Sequence, residues 1–186
     1  DLVVVDLAAA GEPRVAFLVE GHAVDELAAA GRRRNLDDFV GQVIGVDAQE
    51  AKLKRASELG ADEVWTPEQV AEQGITADLV IEAAGHPRAF ETAFAATAVG
   101  GRTVTVGLPS PSAESVIHPV VLTSEARSVI GSYLGSAVPS RDIPRYEQLW
   151  RDGDLPVEEL VSSRIRLEDI NEAMDTLAEA RAIRQI

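Results

Sequence analysis

Short runs of branched apolar residues recur along the chain, bounded by glycine, proline or acidic residues and separated by stretches with apolar positions at helical spacing. That alternation predicts buried strands joined by helices, the pattern of parallel β-α units. The clearest unit is 43–60, which reads V-I-G-V-D-A-Q-E-A-K-L-K-R-A-S-E-L-G. Its first four residues predict a strand between Gly41 and Asp47, and 48–59 a helix with Leu53, Ala56 and Leu59 on one face and Gly60 as its stop. A short strand follows at 63–65, closed by Thr66-Pro67, then a weak helix at 70–74 and a strand from 77 that runs into a glycine turn at Gly85. Further along, the pattern predicts an alanine-rich helix over 87–99, a turn at Gly100-Gly101-Arg102, a strand over 103–108, another at 128–135 and a helix through 141–150.

The beginning of the chain is less regular. Residues 1–11, D-L-V-V-V-D-L-A-A-A-G, read as a first strand and turn. Residues 12–42 are broken by Pro13, Gly21, Gly31 and the run Arg32-Arg33-Arg34, with 15–19 a candidate strand and 24–30 a candidate short helix. A deletion, an altered reading frame and an engineered junction all fit such a segment. The chain opens at Asp1 without an initiator methionine, which points to a fragment or a processed product.

Composition narrows the chemistry. The 186 residues suffice for one core, or for one domain with part of another. Seventeen basic against thirty-one acidic residues leave a formal charge of −14, which opposes long-range attraction to nucleic acid or an anionic membrane. The acidic residues are spread between apolar positions as on a solvated surface. No apolar run reaches the length of a membrane span and no basic-then-apolar leader is visible, so the default location is the cytoplasm. Cysteine is absent, which excludes disulfides and every thiolate metal ligand.

The candidate chemistry starts at Asp47, an acid at the carboxyl end of a buried strand. Doubly wound sheets place a dinucleotide ribose there, and a carboxylate accepts hydrogen bonds from both ribose hydroxyls while repelling a 2′-phosphate. The plainer reading is that Asp47 caps the helix after it and Lys52 is a solvated surface charge. The stretch D-A-Q-E-A-K-L-K-R-A-S-E-L-G-A-D-E-V resembles the nicotinamide-binding domain of zinc-type, medium-chain alcohol dehydrogenases. In that family a lysine five positions after the acid also reaches the ribose, and here Lys52 stands there. The resemblance extends over about 42–186, through G-G-R-T-V-T-V-G, S-V-I-G-S-Y-L-G and the tail S-R-I-R-L-E-D-I-N-E-A-M-D-T-L with A-I-R-Q-I.

The resemblance implies a role for particular residues. Ala84 and Gly85 pass close to the adenosine side of the cofactor. Val106, Gly107 and Leu108 offer backbone contacts to the carboxamide, Ser132 to Leu134 lie near the nicotinamide, and Arg184 takes the place of a pyrophosphate arginine. The family's G-x-G-x-x-G turn falls on 6–11, where Gly11 is the one glycine retained and Asp6 and Ala8 crowd and repel phosphate. The segment 115–119, S-V-I-H-P, matches a short strand that family members pair across a two-fold axis, which implies a homodimer. His118, before a proline, reads as a surface or interface residue. Gly21-His22-Ala23 is similar to a zinc-binding G-H-E segment, but Ala23 replaces the glutamate and no cysteine partners exist, so His22 reads as a loop residue. The family's zinc is held by cysteine and histidine, and this chain supplies no such set.

These readings give an α/β fold, a Rossmann-type doubly wound parallel sheet whose first unit is degenerate. The expected divisions are an atypical segment 1–42, a dinucleotide-binding domain 43–135 and a tail 136–186 that returns toward a catalytic domain. The implied function is NAD-dependent hydride transfer between an alcohol and an aldehyde, this chain carrying the cofactor part, naming no catalytic residue and being inactive by itself. The alternatives are a non-catalytic dinucleotide-binding or dimerisation module, and a Rossmann-type methyltransferase, whose order of elements suits the tail poorly.

Overall fold

The computed structural model describes residues 42–133, 137–179, 181–182 and 184–186, and the backbone of 14–18. Six strands, β1 (Arg14–Leu18), β2 (Gln42–Val46), β3 (Glu63–Trp65), β4 (Ala77–Glu82), β5 (Thr97–Thr105) and β6 (Ser128–Gly131), form one sheet in the order β3-β2-β1-β4-β5-β6. Every neighbouring pair is parallel. This is the expected doubly wound Rossmann-type order, in which the chain changes direction of winding beside β1. The registers align Trp65, Val46, Leu18, Glu82, Thr105 and Gly131 in one row across the sheet at its carboxyl edge. The strand in first position is therefore 14–18, close to the candidate at 15–19. This corrects the reading of 1–11 as first strand and of 6–11 as the turn that follows it, because 14–18 holds that strand's place between β2 and β4. Residues 1–11 lie outside the described residues.

Three helices pack about the sheet, α1 (Glu50–Glu58), α2 (Pro67–Gln73) and α3 (Pro87–Ala95), and three follow later in the chain, α4 (Pro119–Ser124), α5 (Pro139–Asp152) and α6 (Ile170–Ala178). Ile44, Val46, Val70, Ala77, Val80, Ala93 and Ala96 form the buried cluster between the sheet and α2 and α3. Side chains alternate along a strand, so Gly45 points to the opposite face, where a Cβ would lie 3.2 Å from that of Ala56 on α1.

Several boundaries differ from the pattern. Helix α2 starts at Pro67, before the predicted 70, because Thr66 caps it: its hydroxyl accepts from the amide of Gln69 (3.3 Å) and its own amide donates to the Gln69 side chain (2.8 Å). Helix α3 stops at Ala95 and β5 begins at Thr97, whose buried hydroxyl bonds Ala93 O (2.9 Å) and the hydroxyl of Thr103 (2.6 Å). The expected strand at 115–119 is absent from this chain by itself. The amide of Val116 donates to Glu91 (2.8 Å), the hydroxyl of Ser115 to Pro87 O (3.2 Å), and Pro119 opens α4.

Beyond α5 the chain forms a separate two-stranded parallel sheet of β7 (Val161–Ser163) and β8 (Arg184–Gln185). Arg55 of α1 joins the two parts, donating to Glu159 O (2.5 Å) and to its carboxylate (3.2 Å). Among the described residues no helix is long and apolar enough to cross a membrane.

Candidate functional site

The carboxyl-edge row positions the site, because the chain leaves each strand there into a turn. Asp47 is the first residue after β2 and is 4 % exposed. The amide of Gln49 donates to its Oδ1 (2.7 Å), a turn that precedes α1, whose N-cap is Gln49. Asp47 thus shapes the turn into the helix without being the capping residue.

Lys52, on the first turn of α1, is 6 % exposed and so is no solvated surface charge. Its Nζ lies 4.0 Å from Asp47 Oδ2 and makes no hydrogen bond among the described residues. Burying an ammonium costs several kcal/mol even after relaxation, and a carboxylate at 4.0 Å recovers only part of it. A buried ammonium with donors to spare beside a carboxylate suits a hydroxyl-rich ligand, which can accept from the one and donate to the other.

Asp47 and Ala84 line one cavity of about 310 Å³, between the ends of β2 and β4 and the starts of α2 and α3. Glu68, His86, Arg88 and Thr92 complete its polar lining. Sequence reasoning missed these four. His86 was findable as the residue before Pro87: it is the N-cap of α3, its Nδ1 accepting from the amide of Arg88 (3.2 Å). The volume is at the low end of the range that receives small ligands and suits an adenosine-sized group.

Next to the cavity, the turns after β4 and β5 lie against each other. Gly85 has φ +67°, and a Cβ on it would lie 2.9 Å from Leu108 N. A Cβ on Gly107 would lie 2.1 Å from Gly85 N, so the two backbones cross where no side chain fits. Val106 and Gly107 are half-buried at this crossing, and Leu108 projects outward, 77 % exposed. Ser132, half-buried just past β6, donates from its amide to Thr105 O (2.9 Å). Asp47, Ala84, Gly85, Val106, Gly107, Leu108 and Ser132 are thereby brought to one edge of the sheet. Arg184 is not among the residues lining the cavity; it is exposed in β8, on the second sheet. Gly11 and Leu134 lie outside the described residues.

The donor set does not suit zinc. The chain has no cysteine, and among the described residues no three or more histidines and carboxylates converge into a group that could hold a metal ion.

Comparison with known proteins bears on the family and the fold. The family described as "Zinc-binding dehydrogenase" matches residues 39–151. Alcohol dehydrogenase 1 of Cenchrus americanus is 29 % identical over 155 residues, which are 78 % of this chain and 41 % of that protein. The NDMA-dependent alcohol dehydrogenase of Amycolatopsis methanolica is 32 % identical over 159 residues, 77 % of this chain and 42 % of that protein. The crystal structure of an alcohol dehydrogenase zinc-binding domain protein from Burkholderia ambifaria superposes with a TM-score of 0.82 at 24 % identity, over 98 % of this chain and 50 % of that one. The chain therefore spans about two fifths of the length of the curated relatives it matches. With its doubly wound sheet and the match over more than half its length, the chain belongs to the zinc-binding dehydrogenase family.

Proposed function

We propose that this chain is the cofactor-binding part of an NAD-dependent alcohol dehydrogenase. The observation that carries the reading is the buried pair of Asp47, just after β2, and Lys52, on the first turn of α1, with Asp47 lining a cavity where the sheet changes its direction of winding. Asp47 accepts from the adenosine ribose hydroxyls and Lys52 donates to them. Ala84 and Gly85 let the cofactor approach the β4 turn. The backbone of Val106, Gly107 and Leu108 meets the carboxamide, with Ser132 and Leu134 near the nicotinamide ring and Arg184 turned to the pyrophosphate when the tail is in place. The nicotinamide, when bound, supplies the hydride acceptor or donor. No residue of this chain is assigned a proton transfer or a zinc ligand, so the chain alone is inactive.

A second reading is a non-catalytic dinucleotide-binding or dimerisation module, favoured by the absence of cysteine. Homodimerisation belongs to both readings and is supported by the uncovered β6 edge, followed at once by the exposed Tyr133.

Calorimetric titration of the purified chain with NADH, then NADPH, without zinc, tests the cofactor assignment. Saturable binding of NADH, tighter than NADPH, is expected. A folded chain that binds neither sinks the assignment. Oxidation of simple alcohols by the chain with NAD and added zinc would overturn its inactivity.

A further inference from the structure

One buried acid at the site has no place in the reading above. Glu82 ends β4 at 1 % exposure, and both of its carboxylate oxygens are used inside the protein. Oε1 accepts from the amide of Gly85 (2.7 Å) and Oε2 from the hydroxyl of Thr105 on β5 (2.6 Å). Its carbonyl accepts from the amides of Val106 (2.8 Å) and Gly107 (3.1 Å). One residue thus binds both turns that cross at Gly85 and Gly107, and it stands in the carboxyl-edge row between Leu18 and Thr105.

Burying a carboxylate this deeply is expensive unless its hydrogen bonds are well made, and an apolar residue would fill a strand end at less cost. A pure packing role therefore explains the residue poorly. A rigid separation between the two turns explains it: the β4 turn borders the cavity, and the β5 turn leads to Leu108 on the far side of the crossing. A ligand spanning both gains affinity when their spacing is set in advance.

Resting on the dinucleotide reading, we infer that Glu82 is a positioning residue that clamps the β4 and β5 turns into one platform for the cofactor. The test compares the unaltered chain with Glu82→Gln and Glu82→Met by amide hydrogen exchange and by titration with NADH and AMP, at a temperature where all are folded by circular dichroism. Glutamine keeps an acceptor for Gly85, and the Thr105 hydroxyl can accept from the new amide, so exchange and affinities stay within about threefold. Methionine removes both side-chain acceptors, leaving the backbone carbonyl bonds to Val106 and Gly107 without the carboxylate that ties Gly85 to Thr105. Exchange then rises together in 83–86 and 106–108 by about tenfold or more, with α1 unchanged. NADH, which spans both turns, loses about tenfold more affinity than AMP, which reaches only the cavity.

Faster exchange in one turn alone, or in neither, overturns the clamp. Equal losses for NADH and AMP, or a Glu82→Gln as impaired as Glu82→Met, reduce Glu82 to a structural residue and overturn the positioning role. An unaltered chain that binds neither ligand removes the dinucleotide reading and the cofactor half of this inference with it, while the exchange result still decides the clamp. If Glu82→Met does not fold, Thr105→Val carries the same test with one bond removed: faster exchange at 106–108 and a larger loss for NADH than for AMP support the role, and no change overturns it.

Discussion

At the scale of single residues, the site depends on charges held where water hardly reaches. Asp47 and Lys52 are both buried and 4.0 Å apart, close enough to lower each other's burial cost and far enough to leave hydrogen-bonding capacity on the ammonium. Asp47→Ala is expected to weaken NADH binding and leave NADPH, whose 2′-phosphate the carboxylate repels, much less affected. A charge-assisted hydrogen bond contributes on the order of 1.5–3 kcal/mol, so the preference should narrow by about tenfold or more, and titration of the variant with both cofactors measures it. An unchanged preference removes Asp47 from the site. The acid was legible in the sequence because a lone Asp after an apolar run marks a strand end. The burial of Lys52 was not, since a lysine on a mixed helix face reads as solvated until the packing of that face is known.

At the scale of elements, the ends of helices carry most of the difference between pattern and structure. The capping box at Thr66 and Gln69 was present in the sequence as T-P-E-Q, and it moves the start of α2 back to Pro67. Helix α5 is secured another way: the amide of its N-cap residue Val138 donates to Asp142 (2.7 Å), and Arg141 donates to the same carboxylate (2.6 Å). The hydrogen bond from Arg141, followed by that from Val138, holds the Asp142 carboxyl well below the usual carboxylate range. A depressed value in the folded state stabilises the fold above the ordinary carboxylate value of about 3.9 and stops doing so as pH falls below it. Thermal melting followed at α5 should therefore weaken on acidification below about pH 4, and Asp142→Asn should flatten that dependence. An identical acid profile in the variant assigns the loss to other carboxylates.

At the scale of the whole molecule, the sheet ends in an edge strand, β6, exposed along its length, and Tyr133 just beyond it is also exposed. An uncovered edge is a template for another chain. Light scattering should report twice the mass of one chain, and Ile130→Lys on β6 should return it to a single chain. A monomer in the unaltered protein overturns the dimer. The chain spans about two fifths of the length of the curated relatives it matches, and Ile143 and Tyr146 on α5 and Met174 on α6 are exposed.

The sequence by itself determined the alternation of strands and helices, the acid at the end of β2 and the glycines at 85 and 107, because each depends on local spacing or on a residue type that a turn demands. It put the first strand at D-L-V-V-V-D-L, the more continuous apolar run, whereas R-V-A-F-L is the segment that takes the place between β2 and β4. Tertiary structure alone decided the burial of Lys52, the crossing of the two glycine turns and the bonds of Glu82. The crossing and the Glu82–Thr105 bond join segments distant in the chain, the burial of Lys52 depends on how its helix face packs, and no local pattern carries the energy of either.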